Sequence, residues 1–339
     1  MEQHTTRLSN QTTLLNQSII MKKSIFTFAA ALAALVACNK NESTPMTQQQ
    51  PQTFEPCELT VGICGAMTRY TGITEDNEAK VNNLQIFVFR GDDLDAYASV
   101  DNSKELTLSC TAGERVVYAL VNAPDYSAVS GKAALLSKVS ELSANSLSNF
   151  EMVGSKSVTL PQATTVDIDV SRIASRVVLK KITRNFTSTA LQALDFTVDA
   201  IYLVNVAGNT SYDLTAAPAA WYNMAENKGE FASLLYDAPA SAIANGQSYS
   251  TAHTFYGYPN DLSVNTTRLV IETTLGSSKY FYPINLPAME ANKSYEIADV
   301  VLTRPGSGNA NEPVSFSDAS FSINVLDWTV VPVTEGTVI

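Results

Sequence analysis

The stretch "CELTVGICGAMTRYTG", Cys57 to Gly72, decides how the rest of the chain is read. Cys57, Leu59, Val61 and Ile63 alternate with Glu58, Thr60, Gly62 and Cys64. Side chains two apart share a face of a strand, so this is a β-strand offering one face to a core. The apolar pattern then stops. Arg69 stands alone in a small, polar, glycine-punctuated stretch, the only basic residue between Lys40 and Lys80. A well-formed strand followed at once by a solitary arginine on a loop demands an explanation, and the flanking sequence supplies one.

Upstream, Met21-Lys22-Lys23 is a positively charged start, and Ile25 to Val36 is an apolar run. The run is too short to span a bilayer and has the length of a signal-peptide core. It ends in Leu35-Val36-Ala37-Cys38, small residues before a cysteine, the form of a bacterial lipobox. Cys38 is therefore the expected lipidation site. Residues 1–20 carry no targeting signal and read as an upstream mis-start, with translation beginning at Met21. The expected order is a lipoprotein signal peptide over 21–37, then a lipidated tether and propeptide strand over 38–69. Within the latter, Asn39 to Pro56, with Gln48-Gln49-Gln50-Pro51, is polar and has nothing to pack.

Downstream, the signals are mostly β. Val81 to Phe89 reads as a strand closed by Arg90-Gly91-Asp92-Asp93, and Arg115 to Val121 as a central, almost wholly apolar strand. Leu135, Val139 and Leu142 recur at helical spacing and predict a short amphipathic helix within Lys132–Asn149. Val158 to Val170 returns to strands. A second block opens near Arg172 to Leu179 and continues through Val198–Val206, turns at Gly208-Asn209 and Asn245-Gly246, and strands at Leu269–Leu275, Lys279–Ile284 and Ser294–Leu302. Short strands with turns between them imply two β-sandwich domains, over 70–170 and 171–327, in a mainly β fold with little helix.

Charge and motifs narrow the function class. Lys and Arg total 22 against 33 Asp and Glu, a net charge of −11 spread along the chain. That balance argues against nucleic acid and anionic membrane surfaces as partners. After residue 20 the only histidine is His253, beside Thr254-Phe255-Tyr256, where a packed or surface ring is the expected role. Nucleophile elbows, phosphate loops and paired His/Cys spacings are absent from the sequence. Asp92-Asp93-Leu94-Asp95 lacks the remaining ligands of a calcium loop and reads as a solvated turn. Trp221-Tyr222 and Tyr256-Gly257-Tyr258 have the look of sugar platforms, but aromatics in β-sandwiches more often belong to the core. No catalytic residue, metal site or cofactor is assigned; the chain does not read as an enzyme.

At this point the chain resembles the FimA-type fimbrillins, the type V pilus subunits of Bacteroidetes. The resemblance rests on an ordered set of landmarks: Ala37-Cys38-Asn39-Lys40, Arg69 before an acidic stretch leading to Lys80-Val81, Cys110-Thr111-Ala112-Gly113-Glu114-Arg115, Asn292-Lys293-Ser294-Tyr295-Glu296-Ile297, Thr303-Arg304-Pro305-Gly306 and Asp327-Trp328. It implies two transthyretin-like Greek-key sandwiches in tandem, export as an outer-membrane lipoprotein, cleavage by an arginine-specific protease, and polymerisation by strand exchange into surface fimbriae for adhesion. On that reading the cut falls between Arg69 and Tyr70, and the strand carrying Cys57, Leu59, Val61 and Ile63 is built to be removed. Partners would be further copies of the chain, related tip and anchor subunits, the protease, and lipid through Cys38 before cleavage.

The vacated groove needs a donor, and the C-terminus offers one. Phe321 to Val325 alternates as a last body strand, whereas Trp328, Val330, Val331, Val333, Val338 and Ile339 form an apolar tail broken by Pro332. Residues 328–339 are the expected donor. Two other roles stay open: a minor or tip adhesin binding a host or bacterial ligand, and an anchor subunit that keeps its lipid. With Cys38 lipidated, Cys57, Cys64 and Cys110 remain. A strand puts Cys57 and Cys64 about 23 Å apart, far beyond the roughly 7 Å limit of a disulfide. Free release of the strand requires that Cys110, expected to be buried, bond to neither.

Overall fold

The computed structural model describes residues 55–64, 75–224, 227–311 and 318–328. Cys38, the Arg69–Tyr70 cut site and the tail from residue 329 lie outside them. Fifteen principal strands carry the described fold. In its first half these are β1 (Pro56–Cys64), β2 (Asn83–Arg90), β3 (Asp93–Asp101), β4 (Glu105–Thr111), β5 (Gly113–Val121), β6 (Met152–Leu160) and β7 (Thr165–Asp169). In the second they are β8 (Ser175–Leu179), β9 (Ile182–Arg184), β10 (Phe196–Val204), β11 (His253–Gly257), β12 (Arg268–Leu275), β13 (Ser278–Asn285), β14 (Lys293–Leu302) and β15 (Ala319–Asp327). The fold is mainly β, as the alternating pattern predicts.

Two sheets occupy the first half. One has the order β4-β1-β7; the other has the order β3-β2-β5-β6, with the short Ser171–Arg172 strand beside β6. Leu84, Ile86 and Val88 of β2 and Val117, Ala119 and Val121 of β5 share a core with Leu59, Val61, Leu108, Val166 and Ile168. The alternate residues Phe87, Phe89 and Leu120 point the other way, into a larger core with Ile173, Val177 and Phe196. Both faces of β2 and β5 are thus covered, which is why their sequences are nearly continuous apolar runs rather than clean alternations.

The second half contains β9-β14-β8-β11 with β15 against β14, and β10-β12-β13. Strand pairing changes sheets between Arg172, which pairs with Met152, and Ser175, which pairs with Gly257. The predicted strands therefore fall within a few residues of the observed ones.

Two local expectations are corrected. The helix within Lys132–Asn149 covers only Lys132–Leu136; Val139–Glu141 is a strand, followed by a 3₁₀ turn at Leu142–Ala144. Leu135 and Leu142 are buried, but Val139 is 48% exposed, so the three never share a face. Residues 139–141 pair instead with Asn209–Ser211, a long-range ladder that outweighs local helical preference. Nor does Gly208-Asn209 turn the chain between paired strands, for Val206–Ala207 pairs with Trp221–Tyr222 and Asn209–Ser211 with Val139–Glu141. Gly208 is needed for close packing: a Cβ there would meet the Tyr222 ring at 2.8 Å. The turn at Asn245-Gly246 is as expected, with Gly246 at φ +79.

Candidate functional site

The site begins with β1. Its alternation resolves as the sequence predicts: Leu59 and Val61 are fully buried, while Cys57 and Ile63 are half-buried against the same core. What the sequence does not reveal is position. β1 is the middle strand of its sheet, antiparallel to β4 from Pro56↔Thr111 to Gly62↔Glu105. It runs parallel to β7 from Thr60↔Thr165 to Cys64↔Asp169.

Backbone bonds seal both sides. Thr60 N donates to Thr164 O at 2.9 Å, Ile63 N to Lys104 O at 2.9 Å, Ala112 N to Glu55 O at 2.8 Å, and Val170 N to Cys64 O at 3.0 Å. Gly62 fits because a Cβ would lie 2.6 Å from the Asp167 carboxylate. Among the described residues, β4 and β7 pair only with β1 in this sheet. Without β1 they flank an apolar slot with two unpaired edges, which is the geometry that captures an added strand.

The mouth of the slot is fixed by the Cys110–Arg115 landmark. Gly113 turns the chain at φ +113. The buried Arg115 guanidinium donates to Asp95 Oδ2 at 2.9 Å and to Ala112 O at 2.8 Å, while Thr111 N donates to Asp95 Oδ2 at 2.9 Å. Burial of Asp95 opposes its charge, yet the Thr111 and Arg115 hydrogen bonds outweigh it and hold the carboxyl below its ordinary value of 3.8. Asp95 is therefore a structural ligand of this turn and not a member of a solvated loop.

A second feature was not legible beforehand. Glu78, on the short Glu75–Glu78 helix a few residues after Arg69, is buried. Its carboxylate accepts from Arg176 Nη1 at 3.1 Å, from Trp328 Nε1 at 3.1 Å and from the Tyr256 hydroxyl. Arg172 donates through Nε and Nη2 to Glu78 O at 3.1 and 3.0 Å, and stacks 4.6 Å from the Trp328 ring centroid. Burial lowers the Arg172 guanidinium to about 10, with Glu78 working in the opposite direction. The only hint in the sequence was two arginines, Arg172 and Arg176, bracketing Ile173-Ala174-Ser175 in a strand-like stretch, where each must find a buried acceptor.

Trp328 corrects the predicted extent of the donor. It is fully buried, its N–H bonds Asn292 O at 2.8 Å, and its ring packs on Phe150 and Tyr256. Held by two arginines and a carboxylate, it packs here as part of the body. Val330, Val331, Val333, Val338 and Ile339 lie outside the described residues.

The remaining candidates are structural. Tyr256 and Tyr258 are fully buried, the latter bonded to Ser140 and Asn145, so neither is a sugar platform; Trp221 and Tyr222 are half-buried. His253 is buried, its Nδ1 2.7 Å from Asp237 and its Nε2 3.1 Å from the Tyr249 hydroxyl.

The sequence profile described as "Major fimbrial subunit protein (FimA)" matches residues 59–184, beginning inside β1 and ending with β9. Over 87% of its length the chain is 25% identical to the major fimbrium subunit FimC of Porphyromonas gingivalis, covering 67% of that protein. Over residues 59–184 this chain is similar to the FimA-type fimbrial subunits. That family consists of structural fimbrial subunits, not enzymes, and its members are found in surface fimbriae. Solved structures share the fold. A Bacteroides eggerthii chain carrying the provisional description of a cell adhesion protein matches with a TM-score of 0.66 at 22% identity, over 82% of this chain and 97% of that one. The Porphyromonas gingivalis fimbrilin FimA matches with a TM-score of 0.59 at 13% identity, over 81% and 98%.

Proposed function

We propose that this chain is a pilus subunit exported as a lipoprotein through Cys38, cut after Arg69 by an arginine-specific protease, and polymerised by strand exchange. Residues 70–170 and 171–327 act as two tandem sandwiches, the first holding the acceptor groove. One observation carries the reading: among the described residues, β1, which lies N-terminal to Arg69, is the sole pairing partner of β4 and β7 in its sheet. Cleavage turns β1 from a tethered strand into a dissociable peptide. Its departure uncovers Leu108, Val166 and Ile168, each of which gains about 1.5–3 kcal/mol from full burial, so an empty groove is an association site. The tail from residue 329 of a neighbouring subunit is the proposed occupant, with related tip and anchor subunits at the filament ends.

The fimbrial relatives and the placement of Trp328 support this arrangement. The buried Glu78–Trp328 cluster fixes the base of the tail on the body, so the residues beyond can reach outward from a rigid point. Arg69→Ala tests the reading. It is expected to leave full-length lipoprotein in the membrane without filaments, while wild-type filaments begin at Tyr70 by N-terminal sequencing. Normal filaments from Arg69→Ala would sink the maturation step.

A further inference from the structure

Cys57 and Cys110 face one another across the β1–β4 ladder, directly opposite in register, with Sγ atoms 3.7 Å apart. The bonds Ala112 N to Glu55 O and Ile63 N to Lys104 O fix the phase of that ladder. They put residues 57 and 110 in the hydrogen-bonded class of antiparallel pairs, with Cα atoms about 5.5 Å apart. Disulfides occupy Cα separations of about 4.4–6.8 Å, so the Cα spacing lies in the bonding range, and a small approach of the two strands with rotation of the side chains brings the sulfurs together. We propose that Cys57 and Cys110 form a disulfide, a redox latch that fastens β1 to the body of the subunit. Its consequence for assembly rests on the strand-release reading above: a latched β1 stays in the groove after the chain is cut, and only reduction frees it.

The surroundings assign an order to the chemistry. Burial, reinforced by the hydrogen bond with Cys57, pushes the Cys110 thiol up to about 12 and keeps it protonated. Cys57 is half-buried and attacks first. Its thiolate opens a small disulfide or an oxidised dithiol enzyme, forming a mixed disulfide and expelling one thiolate. Cys110 then gives up its proton, attacks the Cys57 sulfur and expels the second thiolate. Two thiol protons leave, one S–S bond forms, and the oxidant's S–S bond is reduced to two thiols. Cys64 does not compete. Its Sγ donates to Asp169 Oδ1 at 2.9 Å, and that hydrogen bond, with some burial, raises the thiol to about 11. It also sits at the far end of β1 from Cys110.

The test treats the full-length, uncut chain with glutathione disulfide, alkylates remaining thiols and maps peptides without reduction. A peptide joining Cys57 to Cys110, with Cys64 alkylated, is expected; it persists in Cys64→Ser and disappears in Cys110→Ser. Free Cys57 and Cys110 in the oxidised wild-type chain, or a bond to Cys64 instead, would overturn the latch. Cleavage with an arginine-specific protease then separates the two readings. The oxidised chain should keep the β1 peptide on a non-reducing gel and lose it when reductant is added. If the linked peptide forms but reduced, cut chain still retains β1, the latch stands and strand release fails.

Discussion

β1 and β15 are both nine-residue strands, one at each end of the described fold, and their circumstances are opposite. β1 lies in the middle of its sheet with Leu59 and Val61 fully buried. Among the described residues β15 pairs only with β14, and its Val325 and Leu326 are 49% and 48% exposed. By burial alone β15 is the strand that should come away. It is instead followed at once by Trp328, whose ring and N–H groups are held by Arg172, Arg176, Glu78 and Asn292. β1 is held by ladder bonds and apolar packing. Burial sets how much stability a strand contributes; in the proposed exchange, anchoring decides which end of the chain is free. Apolar packing and ladder bonds suit a replaceable strand because another alternating segment can reproduce them, whereas a buried ion cluster has one partner set.

The contrast breaks most readily at the anchor. Glu78→Ala removes the acceptor shared by Arg176, Tyr256 and Trp328 and leaves buried charge uncompensated. It should lower unfolding free energy by about 3–5 kcal/mol, read from the midpoint of urea denaturation. A loss near zero would show that the cluster is not the anchor. At β1, Leu59→Ala should cost the uncut chain about 2–5 kcal/mol through the cavity it leaves. The same substitution should change nothing in the subunit once it has been cut after Arg69, because the β1 peptide is then expected to dissociate. An equal loss in both forms would mean that β1 never leaves.

A gentler effect is expected with pH. Because the folded Asp95 carboxyl lies below its ordinary 3.8, the stability it contributes is present above that value and disappears as pH falls through the lower folded value. Asp95→Asn should flatten the acid limb of the stability–pH curve, and retention of the full acid dependence would remove Asp95 from the mouth of the groove. The smallest change concerns the tail. Deleting 329–339 should leave monomer stability within about 0.5 kcal/mol of the full chain while abolishing polymer ladders on unboiled gels. Deleting 328–339 should add the loss of a buried tryptophan, about 3–5 kcal/mol. Equal stabilities for the two truncations would return Trp328 to the donor.

Much of this was legible in the sequence because it depends on near neighbours. Period-two alternation set the strand at Cys57–Cys64 and most strands after it, since side-chain direction in a strand is fixed by the backbone pleat. The isolation of Arg69, the Lys-Lys start and the Cys38 lipobox are likewise local patterns; they lie outside the described residues and enter only the proposed export and cleavage. Tertiary structure decided what depends on residues far apart in the chain. Whether β1 is central or an edge turns on β4 and β7, which lie up to a hundred residues away. Val139 left its helical pattern because Asn209–Ser211 offered a ladder. Trp328 moved from tail to body because Glu78 and Arg172, distant in sequence, meet it in a buried cluster. Cys110 was correctly expected to be buried, but only the β1–β4 register reveals that it faces Cys57. Local backbone geometry writes strand direction into every few residues, whereas partner choice is a property of the closed fold.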